Sequence, residues 1–121
     1  MGKRLKPEET LHRAVVTWLR LQYPKLLFFH VPNANSGPVQ WRVKLKQLGV
    51  ATGCPDLVFV LPGGRTGFVE LKSPGSYPSD AQLAFGSAAR GSGARWACCR
   101  SLEAVQVLMH LWVPLGAGKR T

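Results

Sequence analysis

Asp56-Leu57-Val58-Phe59-Val60-Leu61 and Thr66-Gly67-Phe68-Val69-Glu70-Leu71-Lys72, separated by Pro62-Gly63-Gly64-Arg65, decide how this chain folds. Two apolar, β-rich runs around a Pro/Gly turn are the pattern of an antiparallel hairpin. Each run also carries an acid in an otherwise apolar setting. Asp56 opens the first after a Gly53-Cys54-Pro55 turn, and Glu70 interrupts the second. A carboxylate inside such a strand is costly unless it is hydrogen-bonded, paired or bound to a cation. Lys72 follows two residues after Glu70, so both side chains leave the same face of the strand. If Leu61 pairs with Arg65 across a Pro-Gly-Gly loop, Asp56 falls opposite Glu70. Any odd-length loop keeps the two acids on one face, whereas a two- or four-residue loop would separate them.

Working outward, Glu8 to about Gln22 reads as a helix, because Leu11, Val15, Trp18, Leu19 and Gln22 recur at three- and four-residue steps. Pro7 suits its first turn, Glu8 and Glu9 favour its positive end, and Tyr23-Pro24 stops it. Leu26 to Val31 reads as a short buried strand, followed by a turn-rich loop from Pro32 to Pro38. A basic second helix runs from Val39 to Leu48, with Gly49 as its cap. Beyond the hairpin, Ser79 and Gln82 form a capping box for a helix from Asp80 to about Ala89. Arg95 to Arg100 is another strand, and Ser101 caps a last helix from Leu102 to Leu111. Helix, strand, helix, hairpin, helix, strand, helix describes an α/β fold, a mixed β-sheet flanked by helices. The expectation is one domain over residues 1–121, with a core at about 8–112 between basic termini.

Composition narrows the function. Sixteen Lys and Arg against six Asp and Glu give a formal net charge of +10, which attracts polyanions, nucleic acid above all. No apolar run approaches a membrane span, no strongly amphipathic basic helix is visible, and the charged N-terminal stretch is no secretory signal. A soluble intracellular protein without membrane attachment is expected. Cys54, Cys98 and Cys99 make neither a disulfide framework nor a zinc motif. His12, His30 and His110 are scattered, and each reads first as a surface or partly buried histidine.

Two carboxylates and a lysine converging on a basic protein suit phosphodiester hydrolysis. Mg²⁺ or Mn²⁺ takes hard oxygen ligands, often one or two carboxylates with water and phosphate oxygens. A lysine beside it can orient or deprotonate a nucleophile, or neutralise developing charge. The competing reading is a Glu70–Lys72 salt bridge on a strand, which the apolar character of that strand and the arrival of Asp56 from its neighbour disfavour.

Gly53-Cys54-Pro55-Asp56 followed by Glu70-Leu71-Lys72 resembles the signature of the PD-(D/E)xK nucleases, and more narrowly the VRR-NUC (virus-type replication-repair nuclease) group. The flanking elements extend the resemblance from about Glu8 to Glu103: Glu8 on the first helix, His30-Val31-Pro32-Asn33, Leu48-Gly49-Val50 and Ser79-Asp80-Ala81-Gln82. It implies a restriction-endonuclease-like fold of the standalone phage or bacterial type. Asp56, Glu70 and the Leu71 carbonyl would be metal ligands, Glu8 a supporting ligand, Lys72 the catalytic lysine, and Gln82 a neighbour orienting Lys72 or phosphate. One departure is His12, where the group's pattern has Gln four residues after the first-helix acid. His30 and Asn33 are candidate contacts to the DNA backbone. So are Arg42, Lys44 and Lys46, for which a solvated basic face is the plain alternative. Trp41 and Tyr77 could stack on unpaired bases, though packing in the core or at its rim is the more ordinary role for each. The implied activity is a structure-selective DNA endonuclease acting on branched DNA such as Holliday junctions, as a homodimer with one site per protomer. The alternative is a non-catalytic nucleic-acid-binding module with the same fold.

Overall fold

The hairpin register sets the architecture. The structure, a computed structural model, describes residues 6–32 and 37–114. Strand β2 (Leu57–Val60) pairs antiparallel with β3 (Thr66–Leu71), with Leu57 opposite Val69 and Val60 opposite Thr66. Leu61 N–H donates to the Arg65 carbonyl at 2.7 Å, so the loop is the odd-length Pro62-Gly63-Gly64 turn. Continued one step, this register sets Asp56 against Glu70.

Around the hairpin, β1 (Leu27–His30) pairs antiparallel with β2, and β4 (Arg95–Cys99) pairs parallel with β3. The result is a mixed four-stranded sheet in the order β1-β2-β3-β4. The helices are α1 (Pro7–Gln22), α2 (Val39–Gln47), α3 (Asp80–Gly91) and α4 (Leu102–Trp112). Parity divides the sheet into two faces. Leu57, Phe59, Val69 and Leu71 join the core formed with Val15 and Leu19 of α1 and Val105 and Met109 of α4. The opposite face carries Asp56, Phe68 and Glu70, and α3 packs on it through Phe85, whose ring meets Phe68 edge-on at 5.0 Å.

Leu26 to Val31, expected as a buried strand, is instead an edge strand: Leu27 is 61% exposed and Phe29 47%. Having β2 on one side only, it lacks cover over its outer half, and an apolar run carries no mark of whether a second neighbour will pair with it. Helix α2 buries none of its residues. Among the described residues, no helix is long and apolar enough to cross a membrane.

Two close approaches seat α3. At Gly86 an added Cβ would lie 2.7 Å from the Trp96 ring of β4. Gly53, just before Asp56, has φ +78°, and a Cβ there would collide with the Ala81 carbonyl and lie 2.8 Å from the Gln82 nitrogen. The loop entering β2 therefore presses directly on the first turn of α3. Gly53→Ala should lower unfolding free energy by about 2 kcal/mol or more, from backbone strain and displacement of α3. Gly91→Ala, with nothing near the added methyl, should be neutral or stabilising by up to about 1 kcal/mol. Urea denaturation of both variants beside the wild type checks the contrast.

Candidate active site

Asp56 is clamped from two sides. Its carbonyl accepts from Val31 N–H at 3.3 Å and lies 2.7 Å from His30 Nδ1, both at the end of β1. Its carboxylate Oδ2 accepts from the Leu71 N–H of β3 at 2.8 Å. The acid is thus aligned by main-chain donors before any ligand arrives.

Glu70 is 3% exposed. Its Oε1 accepts from Gln82 Nε2 at 3.0 Å, while its Oε2 is buried with no donor. An ionised carboxylate in this position leaves one oxygen unsatisfied, which is expensive. Burial first, then the negative charge of Asp56 and a hydrogen bond shared with its side chain, push the Glu70 carboxyl up to about 8. The nearby Lys72 charge pulls the other way. Two states relieve the strain: a proton on Glu70, or a cation shared with Asp56. A hard divalent ion therefore fits these residues, since the donors are carboxylate oxygens and one of them lacks a partner.

Gln82 performs two tasks. As N3 of α3 it completes the capping box, its Oε1 accepting from Ser79 N–H at 2.7 Å, while its own N–H donates to Ser79 Oγ at 3.2 Å. Its remaining amide group holds Glu70. Sequence reasoning expected this side chain to orient Lys72 or phosphate; in the fold its amide is directed to the Glu70 carboxylate, because the cap fixes which end of the side chain is free.

Lys72 follows β3, its N–H donating to the Cys99 carbonyl at 3.0 Å. Among the described residues the only ion pair is Arg13–Glu9 on the surface of α1, so the Glu70–Lys72 salt bridge is not formed. Asp56, Glu70, Lys72 and Gln82 instead line one cleft of about 250 Å³, with Cys54 at its wall. Burial, with the Glu70 and Asp56 charges, raises the Cys54 thiol above its usual range.

Glu8 and Glu9 separate cleanly. Glu9 is exposed and paired with Arg13. Glu8 is half-buried, its Oε1 accepting from Ser73 N–H at 3.3 Å, and it lines a second cleft with Asp56, Leu71 and His12. Four-residue spacing aims it there, since Glu8 and His12 continue the inward stripe of Leu11, Val15 and Leu19 up the helix. His12 is the residue that sequence reasoning noted as a departure but did not place at the site. Its ring meets that of His30 edge-on with centroids 4.6 Å apart, and burial, then the His30 charge, lower its pKa against the pull of Asp56. Its place four residues after Glu8 was the available signal.

The remaining candidates lie farther out. His30 is exposed beside Asp56, and Arg42, Lys44 and Lys46 are exposed on α2, which leads into the 51–55 segment bordering the main cleft. Asn33 lies outside the described residues, as do the basic ends at 1–5 and 115–121. Trp41 is 50% and Tyr77 77% exposed rather than packed in the core; the Tyr77 ring carries the Arg100 guanidinium at 5.2 Å.

A mixed sheet with helices on both faces, and with two acids and a lysine gathered at one cleft, defines an α/β domain of nuclease type. The VRR-NUC domain model matches residues 6–103, and the chain belongs to that nuclease family. Two solved structures share the fold. A "VRR_NUC domain protein" is 20% identical with a TM-score of 0.74, covering 94% of this chain and 93% of its own. A "VRR_NUC domain" is also 20% identical, with a TM-score of 0.60 and coverage of 89% and 100%. No curated protein matches the chain.

The Glu70 proton has a measurable consequence. The folded carboxyl keeps it up to about pH 8, whereas the ordinary value is 4.5, so between these limits the folded state holds more protons than the unfolded one. Stability from this group is full at the acid end and is lost as pH rises through the folded value. In EDTA, the melting temperature of the wild type should fall from pH 5 to pH 9 more steeply than that of Glu70→Gln. Parallel curves would contradict the assignment.

Proposed function

We propose that the protein is a Mg²⁺- or Mn²⁺-dependent DNA endonuclease of the PD-(D/E)xK superfamily, a standalone phage or bacterial protein selective for branched DNA such as Holliday junctions. The observation that carries the reading is the buried, donor-less oxygen of Glu70 facing Asp56, in a cleft shared with a Lys72 that forms no ion pair among the described residues. A structural acid would be expected to have partners on both oxygens, and Glu70 has one on Oε1 alone. This one is arranged to acquire a cation.

Asp56, Glu70 and the Leu71 carbonyl would hold the ion, with Glu8 in support directly or through water. When bound, it would stabilise negative charge on the scissile phosphate and acidify water. Asp56 is kept in position by Leu71 N–H, and Gln82 keeps Glu70 turned into the cleft, so little reorganisation is needed on binding. The Lys72 ammonium, which forms no ion pair among the described residues, would orient the nucleophile or offset charge on the phosphoryl oxygens. The net charge of +10 would draw DNA towards the cleft, with His30, Asn33, Arg42, Lys44 and Lys46 as phosphate contacts. Symmetric cutting of a junction would require two copies of the single 1–121 domain, arranged as a twofold homodimer. The setting for this activity is the cytoplasm of a bacterial or phage-infected cell.

Labelled single-strand, duplex, flap and four-way-junction DNAs, incubated with Mg²⁺, Mn²⁺ or EDTA, test the proposal. Cutting should need the metal and favour the junction. Asp56→Ala and Lys72→Ala, with folding intact, should each lower the rate by at least about a hundredfold. Tight DNA binding without cutting under any metal would replace the proposal with a non-catalytic binding module.

A further inference from the structure

His12, His30 and Asp56 come from three elements, α1, the end of β1 and the entry to β2, and their side chains converge. One potential ligand atom from each lies within 4.8 Å of the other two. His12 is half-buried and His30 exposed, so an ion can reach the group from solvent. The contact between His30 Nδ1 and the Asp56 carbonyl, 2.7 Å, settles the tautomer. A carbonyl only accepts, so Nδ1 carries the hydrogen and Nε2 presents its lone pair. A backbone carbonyl behind a ring N–H is the support that orients histidine ligands in metal sites. Asp56 is itself pre-aligned by Leu71 N–H at 2.8 Å. His30 and Asp56 are therefore each held by a backbone group, and His12 reaches them from α1 with its ring edge-on to that of His30.

We infer that His12, His30 and Asp56 form a second cation site, which takes a first-row transition metal ion such as Zn²⁺ or Co²⁺. Two imidazoles and one carboxylate are donors for borderline ions and a poor match to Mg²⁺, which belongs with the oxygen ligands of Asp56 and Glu70. Bonds of about 2.0–2.1 Å would require the three ligand atoms to stand roughly 3.4 Å apart. A small adjustment of the His12 side chain, with a tilt of His30 about its bond to the Asp56 carbonyl, can supply that closure. Three protein ligands leave a coordination position open. Because Asp56 belongs to both groups, an ion held by the imidazoles also fixes the carboxylate of the oxygen-rich centre. The metal preference of the chain is thereby tied to His12 and His30. The site does not rest on the nuclease proposal, since a chain unable to cut DNA would still bind the ion.

Titration of the full, untagged chain with Co²⁺ alone, followed by visible absorption, tests this without any reaction being run. A d–d band should appear without an intense near-ultraviolet thiolate band. His12→Gln and His30→Gln should each weaken binding by about tenfold or more, whereas Glu70→Gln should retain it. In the unmutated protein, Zn²⁺ should shift the ring ¹⁵N resonances of His12 and His30 and leave those of His110 in place, a readout that does not depend on any variant folding. Equal Co²⁺ affinity in the wild type and both histidine variants would overturn the site. So would unmoved His12 and His30 resonances, or a thiolate band that transfers the ion to Cys54.

Discussion

A pair of carboxyl groups held together at the edge of an apolar face is the constraint on which the rest of this structure depends. Asp56 and Glu70 sit opposite each other because the hairpin loop is odd in length, and Glu70 is buried with one oxygen lacking a donor. Two negative charges cannot both persist there at low cost. The surroundings answer by fixing everything else. Asp56 takes main-chain donors from β1 and β3, and Glu70 takes the one free amide of a side chain whose other end is committed to a helix cap. What remains undetermined is a single position between the acids, open to a proton or to an ion.

The same pleat that brings the acids together separates them from the core. Odd-numbered residues of β2 and β3 form the packed layer with α1 and α4, while even-numbered ones face α3 and the cleft. Substitution at the site can therefore change charge without opening the main core, and stability and chemistry are carried on opposite faces of one sheet. Coupling between them runs through Gly53 and α3. Any shift of that helix moves Gln82, and with it the hydrogen bond that the Glu70 side chain accepts.

Much of this was legible in the sequence, for identifiable reasons. The hairpin was readable because its turn, register and acid positions are local and obey a period of two. Ser79 and Gln82 announced a helix start through short-range cap chemistry. The family pattern added the chain-wide order of these elements. Three features depended on long-range contacts and were hidden. The exposure of Leu27 and Phe29 follows from which strand has no second neighbour. The partner of the Gln82 amide depends on how closely Gly53 lets α3 approach. His12 gained its meaning only when β1 brought His30 beside it.

The carboxyl pair itself can be watched directly. In ¹³C NMR of metal-free protein, the Glu70 side-chain carboxyl should titrate near 8. Saturating Mg²⁺ should release that proton and leave Glu70 ionised across the neutral range. A Glu70 carboxyl that titrates at the ordinary 4.5 in the free protein, and does not respond to Mg²⁺, would contradict the account at its centre.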